Sequence, residues 1–361
     1  FLCPAIHGWH PSGRRRGLRQ KSFPATFCAR SIMQSSSSLF PVALISAEFR
    51  SDLSEDVYRL KPGNSGDYSV ELALTRLGQA GSEHARGVPV VLLHGSFSNR
   101  RFWYSPKAIG LGPHLARCGF DVWIAEMRGH GLSPRNQQYK HNRVSDYARY
   151  DLPAIAAFVR EQTGQVPHWL GHSLGGTTLT AALGGHYLGE HEVASAALFG
   201  SQISRIYWPL KVPPVEWGGR LLLKRFAHLS GSRLKRGPED EPIGLALESL
   251  RWHGLFGRFG DAERDWWAGL ADVQVPVLAV SAEGDRQDPP WACNKLLKQF
   301  GSAAREYLCL GRKTGFSSDF GHVEMLLSKP AQQEVWPLVE HWLQQQCLPP
   351  AFRSPADEVK L

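Results

Sequence analysis

The sequence predicts an α/β protein, a mostly parallel, doubly wound sheet with an inserted helical cap. Three observations carry that reading. From residue 88 to 346, short apolar runs alternate with stretches of helical spacing. Strands of a parallel sheet are buried on both faces and need crossover helices between them, which gives this alternation. Residues 201–272 interrupt it where a single crossover needs far fewer residues. Finally, a glycine-flanked serine, Gly171-His172-Ser173-Leu174-Gly175, sits where a strand run passes into a helical one.

Taken in order, the short apolar run Leu39 to Ala47, broken by Pro41, reads as a capping strand or loop. Val57–Leu60 and Tyr68–Leu77 alternate across the turn residues 62–67, the pattern of a hairpin. Val88–Leu93, ending in His94-Gly95, is the first buried strand, and a helix is predicted over 103–117. Asp121–Ala125 is the next strand. Tyr147, Leu152, Ile155, Ala156 and Val159 put one apolar face on a helix over 144–162. His168–Leu170, Ala194–Phe199, Val275–Val280 and Glu306–Leu310 complete the strand set. Leu174–Leu183 and 331–346 read as helices. The organisation predicted is an N-terminal extension (1–43), a core (44–200 and 273–347), a cap (201–272) and a C-terminal tail (348–361). Within the cap, Arg220–Leu229 is read as amphipathic, with Leu222, Leu223 and Phe226 on its apolar face.

Composition narrows the function classes. Apolar residues make up 42% and charged residues 20%, which fits a globular core and excludes a coiled coil or wholesale disorder. The formal charge of +8 is concentrated at one end. Residues 1–32 hold Arg14, Arg15, Arg16, Arg19, Lys21 and Arg30 with no acid, so the remainder is near +2 and a nucleic-acid partner loses its support. That basic stretch reads as sequence upstream of a start at Met33, as a transit peptide or as a disordered arm. The expected location is the cytoplasm, with transit or export left open. Cys3, Cys28, Cys118, Cys293, Cys309 and Cys347 show no C-x-x-C spacing, so isolated thiols are expected, with no metal and no cofactor.

The chemistry centres on Ser173. A strand–turn–helix with glycines beside the serine holds its hydroxyl out at the sheet edge. Such a hydroxyl needs a base to become a nucleophile. In the chain order Ser, Asp/Glu, His, Asp285 follows the strand Val275–Val280 and His322 follows Glu306–Leu310. His322 is read as general base and then acid, and Asp285 as the group that fixes its tautomer. Glu283 and Asp288 compete for the acid role, whereas Gly200-Ser201-Gln202, after another strand, offers no carboxylate. The backbone N–H groups of Ser96 and Leu174 are the candidate oxyanion hole. Phe97, His94 and His172 complete the candidate substrate-binding set. Phe97 is a pocket wall or a packing residue, His94 and His130 organise loops, and the His172 side chain is expected to point away from the pocket.

These residues, with Arg128-Gly129-His130-Gly131, resemble the α/β-hydrolase superfamily of serine esterases and lipases. Asp121-Val122-Trp123, Tyr150-Asp151-Leu152-Pro153, Thr163-Gly164-Gln165 and Gly171-His172-Ser173 with Thr177-Thr178 resemble its acid-lipase branch. That branch carries Gln where this chain has Leu174, and a different loop at 128–131. The resemblance implies a carboxylic-ester hydrolase. Ser173 sets it apart from relatives that need Asp or Cys at that place. Acyl transfer, thioester cleavage and a non-catalytic ligand-binding role on the same fold stay open. The partner expected is a small ester or lipid-like molecule. The cap's aromatics suggest an apolar acyl or aromatic group beneath it. Eight basic residues against Glu216 between Arg205 and Arg236 suit an anionic substrate, a membrane surface or a plain solvated face.

Overall fold

The computed structural model describes residues 37–352, except 83–85, 206–207 and 254–256. Most of the expected N-terminal extension, Cys3, Cys28 and the tail from 353 onward lie outside the described residues. Residues 37–41 already belong to the packed chain, since Ser37 and Ser38 hydrogen-bond Glu161.

Strands β1 (Val42–Arg50), β2 (Leu53–Leu60) and β3 (Leu72–Gln79) form an antiparallel meander. The expected hairpin is therefore present, with β1 added at its edge. Next come β4 (Pro89–Leu93), α1 (Leu111–Arg117) and β5 (Asp121–Glu126). Helix α1 is shorter than the predicted 103–117. Ala108 and Gly110 both take positive φ, and a Cβ on Gly110 would stand 2.1 Å from the Trp103 carbonyl oxygen, so a turn replaces the first half. The segment 144–162 is helical but not uniform. Helix α2 (Val144–Asp146) passes through a π turn, Tyr147–Asp151, into α3 (Leu152–Thr163). Pro153, which has no N–H to continue the ladder, sits in α3's first turn. Then follow β6 (His168–His172), α4 (Leu174–Gly184) and β7 (Ser195–Phe199).

The inserted segment carries α5 (Pro213–Leu223), a short hairpin of β8 (His228–Leu229) and β9 (Glu241–Pro242), α6 (Ile243–His253) and α7 (Trp266–Gly269). The predicted helix over 220–229 is displaced toward the N-terminus, because Pro213 and Pro214 start it early. Leu222 and Phe226 face solvent and are not packed. The core resumes with β10 (Val277–Ala282), α8 (Pro290–Leu297) and β11 (Arg305–Leu310). The helix expected over 331–346 is a series, α9 (Glu324–Leu327), α10 (Lys329–Glu334) and α11 (Trp336–Gln345), with Pro330 and Pro337 opening the last two. The tail does not begin loose at 348: Leu348 is buried and Phe352 stacks on Phe316 at 5.3 Å.

Among the described residues, nine strands make one sheet in the order β1-β2-β3-β5-β4-β6-β7-β10-β11, parallel from β5 to β11. One face packs Trp123, Phe158, Trp169 and Leu179 under α3 and α4. The other packs Ile124, Leu170, Phe199 and Trp342 under α1 and α11. Chain order reverses between β4 and β6. Loops leaving two such strands diverge and open a crevice at their carboxyl ends, so the loop after β4 and the turn after β6 face one another. No described helix is long and apolar enough to cross a membrane.

Two segments singled out in the sequence meet in the interior. Arg128 Nε lies 3.0 Å from both carboxylate oxygens of Asp151, and both residues are buried. Removing one partner of a buried pair strands the other charge. Asp151→Ala should therefore lower unfolding stability by about 3–5 kcal/mol in a denaturant titration. A loss below ~1 kcal/mol would show that the pair is not holding the loop.

Candidate active site

Ser173 ends β6 at φ 53° and ψ −116°, a left-handed conformation that L-residues avoid. The surroundings leave no relaxed alternative. A Cβ on Gly171 would stand 2.4 Å from the Gly176 nitrogen, and one on Gly175 would stand 2.4 Å from the Leu93 carbonyl oxygen. The Ser173 N–H donates to the Phe199 carbonyl at 2.9 Å, and Ser201 Oγ donates to the Ser173 carbonyl at 3.2 Å. The strained turn is thereby fastened to β7 with its side chain at the crevice.

Asp285 follows β10. Its Oδ1 accepts the N–H groups of Gln287 and Asp288, both at 2.9 Å, and its Oδ2 lies 2.8 Å from His322 Nδ1. A carboxylate there accepts a proton held on Nδ1, which leaves Nε2 as the basic nitrogen. Gly200, at φ +49°, passes close behind this pair, and a Cβ on it would stand 3.2 Å from both Asp285 Oδ2 and His322 Nδ1. Nε2 of His322 faces the Gln287 amide nitrogen at 3.2 Å. The Ser173 hydroxyl instead lies 3.5 Å from Asp288 Oδ2. Ser173 and His322 share a cavity, but no hydrogen bond joins them among the described residues.

Of the competing acids, Glu283 is turned away to Lys313 at 3.2 Å. Asp288 is inside the site, 3.7 Å from His322 Nδ1 and bonded by Gln202 at 2.9 Å. Burial pushes its carboxyl up to about 6, against the pull of His322 and Gln202. Gln287 is the site residue sequence reasoning missed, and Asp288, weighed there for the acid role, lies against the Ser173 hydroxyl instead. Their signal was present in their spacing of two and three from Asp285, which lets one carboxylate cap both N–H groups.

Two cavities meet at Ser173, sharing Ser96, Phe97 and Gln287 as walls. The inner one, about 320 Å³, lies under the cap and is lined by Leu174, Ile203, Leu229, Leu245 and Trp252. The outer one, about 720 Å³, includes His172, His322 and Val323. No acceptor engages the Ser96 N–H among the described residues, and Leu174 is the first residue of α4, whose N–H has no helical partner.

Phe97 stands where expected, at positive φ, with its N–H taken by the cap residue Glu241. His94 does not line either cavity, which corrects its place in the substrate-binding set. It is fully enclosed, with Nδ1 2.9 Å from the Gly95 carbonyl and Nε2 accepting the Met127 N–H, and burial lowers its pKa to about 3. Its ring lies beside His130, whose own pKa is raised: burial opposes the charge, but the adjacent Glu241 outweighs it. His172 does line the outer cavity and does not point away from it. Its ring stacks on Phe102 at 4.4 Å, and Nε2 donates to the His322 carbonyl at 2.9 Å. Of the cap tryptophans, Trp252 and Trp266 are buried with Phe259, while Trp208 and Trp217 are 70% and 65% exposed, so the cap's aromatics do not all roof the site.

With the switch point, the strained serine turn and the His–Asp pair in place, the chain has the α/β-hydrolase fold, and the family model of that description matches residues 88–217. Lipase member N of Mus musculus is 36% identical over 118 residues, 29% of this chain and 30% of that protein. The gastric triacylglycerol lipase of Homo sapiens is 34% identical over 120 residues, 30% of each chain. The chain thus spans about three-tenths of the length of the curated relatives it matches. The resemblance to the acid-lipase branch agrees with these relatives. A thermophilic esterase from Thermogutta terrifontis superposes with a TM-score of 0.52 at 17% identity, covering 78% of this chain and 96% of that one, a likeness of fold.

The raised Asp288 carboxyl has a consequence for stability. Its proton is bound more tightly in the folded chain than in the unfolded one, so stability falls as pH rises from the ordinary carboxylate range through about 6. Asp288→Asn, which cannot ionise, should escape that loss. Its stability relative to wild type should improve between pH 4 and pH 7, by up to ~3 kcal/mol. Chemical denaturation of both proteins across that range is the measurement, and parallel curves would refute the burial argument.

Proposed function

We propose that this chain is a serine carboxylic-ester hydrolase that works through an acyl-enzyme on Ser173. The observation that carries the reading is His322, paired with Asp285 at 2.8 Å and lining the same cavity as a serine held in a strained turn. Ser173 Oγ attacks the ester carbonyl carbon while His322 Nε2 takes its proton. The N–H groups of Ser96 and Leu174 receive the developing oxyanion. His322 returns the proton to the departing oxygen as the carbon–oxygen bond breaks, and water repeats the sequence to release the acid. Asp285 holds the imidazole in the required tautomer. For this cycle the Gln287 amide must leave Nε2, a side-chain rotation. The relatives named as lipases and the esterase of like fold support an ester substrate, and Ile203, Leu229, Leu245 and Trp252 on the inner cavity's wall support an apolar acyl group.

Ser173→Ala should lose about 10⁶ in turnover of chromogenic esters, and Asp285→Asn about 10⁴. The Gln287 contact on His322 is what a non-catalytic ligand-binding reading would rest on. Labelling by a fluorophosphonate probe separates the two, since a binder would not react and a hydrolase labels at Ser173 alone.

The cap supports contact with an anionic lipid surface. Trp208, Trp217, Leu221 and Leu222 are exposed among Lys211, Arg220, Lys224 and Arg225, the combination that places aromatic and aliphatic side chains in a bilayer interface. Trp217→Ser with Leu221→Ser should weaken sedimentation with phosphatidylserine vesicles by roughly tenfold. Unchanged sedimentation would remove the cap from any lipid contact.

A further inference from the structure

The two cavities at Ser173 differ in charge as well as in shape. The inner one carries the carboxyl groups of Glu241 and Asp288 on its wall, with Arg205 as its one cation among the described residues. The outer one is lined by Arg101, Lys235 and Arg236 and by no acidic side chain. Arg101 Nη1 is enclosed without a hydrogen-bond partner among the described residues, and its guanidinium lies 4.6 Å over the Tyr104 ring. Neither Lys235 nor Arg236 pairs with a carboxylate among the described residues. Arg236 reaches the Gln287 side-chain oxygen at 3.0 Å.

These two cations are not on a loose loop. Lys235 takes φ 53°, the Arg236 N–H donates to the Gly231 carbonyl at 2.9 Å, and the Glu239 N–H donates to the Phe97 carbonyl at 3.1 Å. A Cβ on Gly237 would stand 2.1 Å from that same Phe97 oxygen. The basic turn is therefore pressed against the loop that carries Ser96.

The direction of the substrate follows from which wall holds the proton donor. His322 lines the outer cavity only, and Leu174 the inner one only. The group that departs from the acyl carbon is protonated by the imidazole, so it lies on the His322 side and the acyl chain lies in the inner cavity, beside Leu174.

We infer that the outer cavity binds the leaving half of the substrate and selects one that carries a phosphate. The substrate class is an ester or thioester of an apolar acid with a phosphorylated alcohol or thiol. The inference rests on the Ser173 hydrolase reading. In the step, the bond from the acyl carbon to the leaving oxygen or sulfur breaks, the His322 proton goes to that atom, and the phosphate stays ionised against Lys235, Arg236 and Arg101. Water then releases the acid from Ser173.

The test uses the purified full chain and two matched pairs, 1-decanoylglycerol against its 3-phosphate, and the decanoyl thioesters of N-acetylcysteamine and of phosphopantetheine. At low salt the phosphorylated member of at least one pair should show kcat/KM about tenfold above its neutral mate, and the pair with the larger ratio identifies the carrier. Lys235→Gln with Arg236→Gln should bring that ratio to within roughly threefold of one, and 0.5 M salt should do the same. Lys235→Glu with Arg236→Glu should invert it. Because the ratio is taken within one protein, a general loss of activity cancels. A ratio near one in both pairs for wild type, or one that survives the double substitution, overturns the inference. If the neutral substrates are turned over and Ser173→Ala is inactive, only this inference falls. If Ser173→Ala keeps its turnover, or no substrate is cleaved, the hydrolase reading falls and takes the inference with it.

Discussion

A serine forced to positive φ is the constraint around which this molecule is arranged. An L-residue held there costs on the order of 1–3 kcal/mol, which the neighbouring structure must offset. It does so by contact. Glycines at 171, 175 and 176 let β6, α4 and β4 approach more closely than any side chain would allow. Hydrogen bonds to Phe199 and from Ser201 tie the turn to β7. The approach fixes the hydroxyl, and the sheet order then fixes what can face it, since loops from β4, β7, β10 and β11 all end at the same edge.

Electrostatics at that edge are divided. The carboxylate of Asp285 is capped by two backbone N–H groups and the imidazole, so its charge is fully engaged. Asp288, three residues on, has a single amide partner and the serine hydroxyl, and its carboxyl is pushed toward the neutral form by burial. Two carboxyl groups one turn apart thus differ in environment, and the difference comes from which one the backbone N–H groups face.

Much of this was legible in the chain. Apolar runs at 88–93, 121–125, 168–170, 194–199 and 275–280 correspond to strands buried on both faces, which favour apolar residues, and 306–310 to the half-exposed edge strand β11. Ser173 at the elbow, and Asp285 and His322 in the loops that bring them together, followed from element order. Helix lengths were less legible. The predicted helix over 103–117 gave way to a turn through backbone strain at Ala108 and Gly110, which no periodicity records. His94 was given two roles, loop organiser and substrate contact, and its enclosed ring, bonded to Gly95 and Met127, fits the first. Gln287 was passed over although its spacing from Asp285 carried the signal, and Lys235 and Arg236 were read only as part of a basic stretch, since their place beside Ser173 depends on how the insertion folds back over the core.

The glycine at 200 has a consequence beyond geometry. It follows β7, where a Cβ would stand 3.2 Å from both members of the His322–Asp285 pair, a contact that only a shift of a few tenths of an ångström would relieve. With its positive φ, any side chain there would be strained by its backbone and would press on the pair from behind, so the seat of the imidazole depends on a residue that contributes no functional group.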